Sequence, residues 1–166
     1  MTAEGQRQKL SRLYVRTAAP HIQITEASLL HDTVGLWCAR FGIGDGSPER
    51  DRLERLARMV WAWLIEHADS DGDGVIGGPE FVGAYGKPGF IENIAVPVTL
   101  ASTGMADPSD DRRLSMHDWV RLYAAGNQGH VFDAICIFRA GASRSGDVEV
   151  LTRDGVIQGA SEFYEG

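Results

Sequence analysis

Asp69-Ser70-Asp71-Gly72-Asp73-Gly74-Val75-Ile76-Gly77-Gly78-Pro79-Glu80 is the stretch that decides how this chain folds. Counted from Asp69, carboxylates fall at positions 1, 3, 5 and 12, a glycine at position 6 and an aliphatic residue at position 8. A calcium ion takes six to eight oxygens at about 2.3–2.6 Å, and a loop this short wraps one only under such constraints. Alternate side chains of a winding loop face the ion, which turns Asp69, Asp71 and Asp73 inward. Gly74 permits the sharp turn, because a residue without Cβ enters left-handed backbone space at little cost. Val75 offers its backbone carbonyl, and Gly77, lacking a side chain, leaves its vertex to water. Glu80 is long enough to reach back with both oxygens from the first turn of the next helix. A polar Asp/Gly-rich turn that binds nothing is the competing reading. The placed glutamate, the aliphatic Ile76 and the helical patterns on both sides decide against it.

The pattern is that of an EF-hand, and every constrained position agrees. A single helix–loop–helix unit cannot bury its apolar face alone, so the same frame is expected elsewhere in the chain. Three weaker copies are found. The first runs from Thr17 to Ser28 with Ile24 as the aliphatic marker, after a helix carrying Leu10, Leu13 and Tyr14. Its ligand positions hold Thr17, Ala19, His21 and Ser28, which do not suit a hard dication. The third runs from Asp107 to Asp118 and offers Asp107, Ser109, Asp111 and Asp118. Arg112 stands in it where the turn glycine belongs, and Asp118 is a methylene shorter than glutamate, so this is a weak second metal candidate. The fourth, Ser143 to Asp154 with Val150 as marker, keeps only Asp147 and Asp154. Ile24 is expected to bridge to Ile76, and Leu114 to Val150.

Between the frames lie helical patterns and their punctuation. Leu29 to Phe41 reads as a helix ending in the Gly42–Gly46 linker. Ser47-Pro48 starts another, with serine as N-cap and proline in the first helical position. Its arginines at 50, 52, 55 and 58 alternate with acids, which marks a solvated face. Gly86-Lys87-Pro88-Gly89 divides the chain into residues 1–86 and 87–166, each an EF-hand pair. Phe90 to Leu100 reads as a helix bent or restarted at Pro97.

The frame spacing resembles bacterial calerythrin and the sarcoplasmic calcium-binding proteins. These are compact four-hand proteins with a long insert between the first two hands, like Leu29–Asp69 here. Phe90-Ile91-Glu92-Asn93-Ile94-Ala95-Val96-Pro97-Val98 is also similar to the family's helix leading to its third hand. The resemblance spans nearly the whole chain, whereas the ligand motif matches closely only at 69–80. It implies an all-α fold of four EF-hand units in two pairs. In calerythrin the ions sit in hands one, three and four, and here those hands are damaged while the second is sound. The ligand set carried over is therefore Asp69, Asp71, Asp73, Val75 and Glu80.

Length and composition set outer bounds. A chain of 166 residues, 43% hydrophobic, holds one sizeable core or two fused lobes. A net charge of −7 argues against a general nucleic-acid binder. No stretch is long enough to span a bilayer, and the N-terminus lacks both a secretion signal's apolar core and a myristoylation glycine, so a cytoplasmic protein is expected. Cys38 and Cys136 sit in apolar settings and read as buried thiols. His31, His67 and His117 form no catalytic constellation with their neighbours. Calcium is thus the expected cofactor, and calcium-dependent regulation or binding, through a protein partner or small molecule, the expected function. An EF-hand scaffold reused as a small-molecule binder or enzyme, with calcium as a staple, is the alternative. An interaction module that docks a partner helix is a third reading.

Overall fold

A computed structural model describes residues 2–18, 20–126 and 130–166. Its order is α1 (Ala3–Ala18), α2 (Val34–Phe41), α3 (Pro48–His67), α4 (Gly78–Gly83), α5 (Val96–Ser102), α6 (Met116–Gly126), α7 (Val131–Gly141), the hairpin β1 (Ser143–Ser145) and β2 (Val148–Val150), and α8 (Arg153–Glu165). Two π-helical segments, Ser28–Thr33 and Ile91–Ala95, lead into α2 and α5. The fold is all-α, as the sequence implies, and the helices group into helix–loop–helix units.

The loops pair as short antiparallel bridges. Ile24 and Ile76 exchange N–H···O bonds of 3.0 and 2.8 Å, which joins units one and two. Leu114 bridges to Leu151 through bonds of 2.9 and 2.8 Å, not to the expected Val150. The reason lies in the hairpin: Ser143 pairs with Val150 and Ser145 with Val148, turning at Gly146 (φ 68°). That leaves Val148 at the surface, while Leu151 is fully buried and takes the bridge. The fourth frame therefore slides by one residue, so Asp147 and Asp154 leave the ligand positions assigned to them.

Residue nine of each frame caps the helix that follows. Thr25 Oγ1 accepts from Ser28 N–H at 3.1 Å, Ser115 Oγ from Asp118 N–H at 3.1 Å and Thr152 Oγ1 from Gly155 N–H at 3.2 Å. In unit two Gly77 holds this place, and its N–H donates to Glu80 Oε1 at 3.1 Å. Such caps satisfy backbone groups that a helix end leaves unpaired. Ser47 caps α3 as expected, accepting from Arg50 N–H at 3.1 Å. Ahead of Pro97 the chain widens into a π-turn, with Val96 N–H bonded to Ile91 five residues back. The proline then enters at the start of α5, where its missing N–H costs nothing.

Residues 1–86 and 87–166 share one apolar core. Phe90, just past the Gly86–Gly89 turn, sits edge-on to Phe81 (5.6 Å), Tyr85 (5.5 Å) and Trp63 (5.8 Å). The end of α8 is tied to α1 and to the turn after α4: Gln6 Nε2 and Tyr85 Oη donate to the Tyr164 carbonyl at 2.9 and 2.5 Å. Arg12 grips the buried Asp133 of α7 with two bonds of 2.6 and 2.7 Å. Helices α7 and α8 touch backbone to backbone at Gly141, Gly155 and Gly159. A Cβ on Gly159 would lie 2.2 Å from the Ile137 carbonyl oxygen.

Candidate metal centre

The loop between α3 and α4 is shaped by its own carboxylates. Asp71 Oδ1 accepts from Asp73 N–H at 3.2 Å, and Asp73 Oδ1 from Val75 N–H at 2.9 Å. Asp69 Oδ2 accepts from Gly74 N–H at 3.0 Å. Gly72 and Gly74 both lie in the left-handed region, with φ of 71° and 75°, so two consecutive tight bends are possible without Cβ strain. From α4, Glu80 reaches back and accepts at Oε2 from Ser70 N–H (3.0 Å) and Ser70 Oγ–H (3.2 Å).

The result is a converging set: one oxygen from each of Asp69, Asp71, Asp73 and Glu80 lies within 4.8 Å of the others. Asp69 Oδ1 is buried and has no hydrogen-bond partner among the described residues. A buried charged oxygen without a donor is costly, and a cation is the partner that would satisfy it. Crowding shows on Asp71 as well. The Asp73 N–H pulls its carboxyl down, but the neighbouring Asp73 and Asp69 carboxylates push it up, and the net shift is upward. An all-oxygen donor set with four carboxylates suits a hard divalent cation rather than a thiophilic one.

Tyr14 links this loop to the core. Its hydroxyl donates to the Ile22 carbonyl and, at 3.3 Å, to that of the bridging Ile76, and its ring lies 5.3 Å from Phe81. Glu80 and Phe81 are successive residues of α4, so the clustered carboxylate and the buried aromatic are joined directly through the helix backbone.

The third loop has different chemistry. Among the described residues, Asp107, Asp111 and Asp118 do not converge as the unit-two carboxylates do. Ser109 donates to Asp107 Oδ1 from its N–H (2.8 Å) and its hydroxyl (2.7 Å). Asp118 lies exposed at the start of α6. Positions four and six, glycines in unit two, are Asp110 and Arg112 here, and they pair. Arg112 Nε and Nη2 hold the two Asp110 oxygens at 3.1 and 2.7 Å, while Nη2 also donates to the Gly104 carbonyl at 2.8 Å. Arg52 lies 3.5 Å from Asp107, and Arg153 Nε donates to the Met105 carbonyl at 2.9 Å. Guanidinium groups thus supply positive charge to this loop from within the chain. The sequence marks Arg112 as a fault in the frame, but not as the partner of Asp110.

In the first loop, His21 Nε2 contacts Asp32 at 2.6 Å, and Ser28 Oγ accepts from Thr25 N–H at 2.8 Å; Ala19 lies outside the described residues. Both cysteines are free; Cys38 is buried as expected, whereas Cys136 is only half-buried.

No family model matches the chain, and no curated protein matches it in sequence. The fold, with paired helix–loop–helix units on a shared core, is that of a calcium-binding protein of known structure. That protein, a Streptomyces coelicolor calcium-binding protein described in connection with prokaryotic calcium-mediated regulation, superposes with a TM-score of 0.64 at 19% identity. The match covers 96% of this chain and 97% of the Streptomyces chain, so the two share their whole architecture. No helix among the described residues is long and apolar enough to cross a membrane.

Proposed function

We propose that the chain is an EF-hand protein that binds one calcium ion in the 69–80 loop and uses it in calcium-dependent regulation or binding. Asp69, Asp71, Asp73, the Val75 carbonyl and Glu80 are the ligands, with water at the Gly77 vertex. The single observation that carries the reading is the buried, unpartnered Asp69 Oδ1 within a cluster of four converging carboxylates. A bound calcium ion supplies two positive charges that offset the mutual repulsion of these groups.

The protein's own residues connect such an ion to the rest of the fold. Glu80 anchors α4, Phe81 follows it into the aromatic group around Phe90, and the Ile24–Ile76 bridge passes to unit one. Any shift of Glu80 toward the ion therefore moves a side chain packed against the second half. The Streptomyces protein of similar fold is described as a calcium-mediated regulator, which supports the same role here.

Calorimetric titration with calcium tests the site. One tight site is expected in the wild type, and Glu80→Gln should weaken it by about a hundredfold, roughly 2.7 kcal/mol. Hydrogen exchange then separates regulation from stapling. Calcium-dependent protection that extends from the loop through α4 to Phe90 is the expected result, whereas protection confined to the loop would leave calcium a staple only.

A further inference from the structure

A second site stands apart from the acidic loop. A cavity of about 490 Å³ opens between α1, α2 and the end of α6. The described residues that line it include Arg12, Arg16 and Arg40 and no carboxylate, in a chain whose net charge is −7. Trp37, Leu36 and Val15 supply its apolar surface. We propose that this cavity binds a small organic anion, its anionic oxygens held by Arg16 and Arg40 and its apolar body by Trp37, Leu36 and Val15.

Arg16 is the key residue. It is 6% exposed, and its guanidinium lies 5.1 Å from the centre of the Tyr123 ring. Nη2 donates to Tyr164 Oη at 2.5 Å, but Nε and Nη1 have no hydrogen-bond partner among the described residues. A buried cation with unmet donors is among the costlier features a fold can carry. Asp133, the acid that contributes to its electrostatic environment, is held at both oxygens by Arg12. An anion entering the cavity would answer Arg16 as no described carboxylate does.

Arg40 is held beside it by a built contact. Its Nη1 donates to the Ser102 carbonyl at 3.1 Å and packs on Gly126, where a Cβ would come within 2.6 Å of that nitrogen. Only glycine at the end of α6 leaves this space. At the mouth, Val15 and Leu36 are 52% and 42% exposed, two large apolar side chains left uncovered beside a charged interior. Guanidinium forks suit planar carboxylate and phosphate groups alike, and the volume is that of a small-molecule pocket. The ligand class is therefore a carboxylate or phosphate on an apolar body of about ten carbons.

Decanoate, decyl phosphate and decanol, each below its micellar concentration, are titrated against the protein by calorimetry with Trp fluorescence in parallel. At least one anion should bind at one site, about tenfold or more tighter than decanol. The tighter of the two anions identifies the head group. Arg16→Gln should weaken the anion about tenfold and leave decanol unchanged. Because Arg16 also holds Tyr164, a second variant fills the mouth instead. Val15→Trp, at an exposed position, should block anion binding with the melting curve unaltered. Decanol binding as tightly as the anions, no anion binding, or full anion binding by Val15→Trp would each overturn the proposal.

Discussion

Residue by residue, the two best-formed loops meet the same electrostatic problem in opposite ways. In unit two, four carboxylates converge and one buried oxygen is left without a donor. In unit three, Arg112 supplies the charge internally, and its hydrogen bonds hold the Asp110 carboxyl below its ordinary value of 3.8 against the upward push of burial. The sign follows from linkage: a depressed folded pKa adds stability that is full above the unfolded value and is lost as pH falls through the folded one. Asp110→Asn should therefore cost up to about 1 kcal/mol at pH 7, since Arg112 is partly exposed and the pair is screened. Thermal unfolding followed at descending pH should show that gap closing below about pH 3.8; a gap independent of pH would refute the pairing. The convergence of the unit-two carboxylates was legible because a contiguous motif carries them. The Asp110–Arg112 pair was not, because only position six carries a glycine requirement in the frame and nothing in spacing alone says that its replacement will bond to position four. Arg16 and Arg40 were still less visible, since only tertiary packing brings α1, α2 and Gly126 together.

Elements follow the sequence where a local rule fixes them. Ser47-Pro48 begins α3, and Pro97 restarts a helix, because both act through groups within one turn. The bridge in the second pair slipped by one residue for an equally local reason. Val150 and Leu151 are adjacent aliphatics, and a marker counted along the chain cannot choose between them. The two-residue hairpin turn can, since a one-residue shift of register exchanges the buried and exposed faces. Glycine spacing on α7 and α8 also escaped notice, because close backbone approach leaves no hydrophobic period. Gly159→Ala should cost about 1–3 kcal/mol through overpacking against the Ile137 carbonyl. Gly83→Ala, whose Cβ would meet nothing within 4 Å, should instead stabilise α4 by about 0.5–1 kcal/mol. Urea midpoints of the two variants check the pair; similar values would mean that α7 and α8 do not meet as described.

For the whole molecule, the division at 86–89 is crossed by Phe90 packing, by the Arg12–Asp133 pair and by the bonds that tie α8 to α1 and to Tyr85. A ligand at one loop should thus stabilise the entire chain. Calcium at a hundredfold excess over its Kd should add about 2.7 kcal/mol to unfolding, removable by a chelator and cut to about 0.4 kcal/mol in Glu80→Gln. Calorimetric melting with and without chelator checks this, and a transition in which only part of the heat responds would point to two independently melting halves. The overall architecture was readable because an aliphatic marker recurs in each loop, and the paired bridges bury three of these markers, Ile24, Ile76 and Leu114, with Leu151 in place of the fourth.

The most direct test of the central claim is diffraction from crystals grown with calcium, with the ion located by its anomalous signal. The account predicts one peak, among Asp69, Asp71, Asp73, Glu80 and the Val75 carbonyl, and none beside Asp107. A peak in the third loop, or no peak in the second, would contradict it.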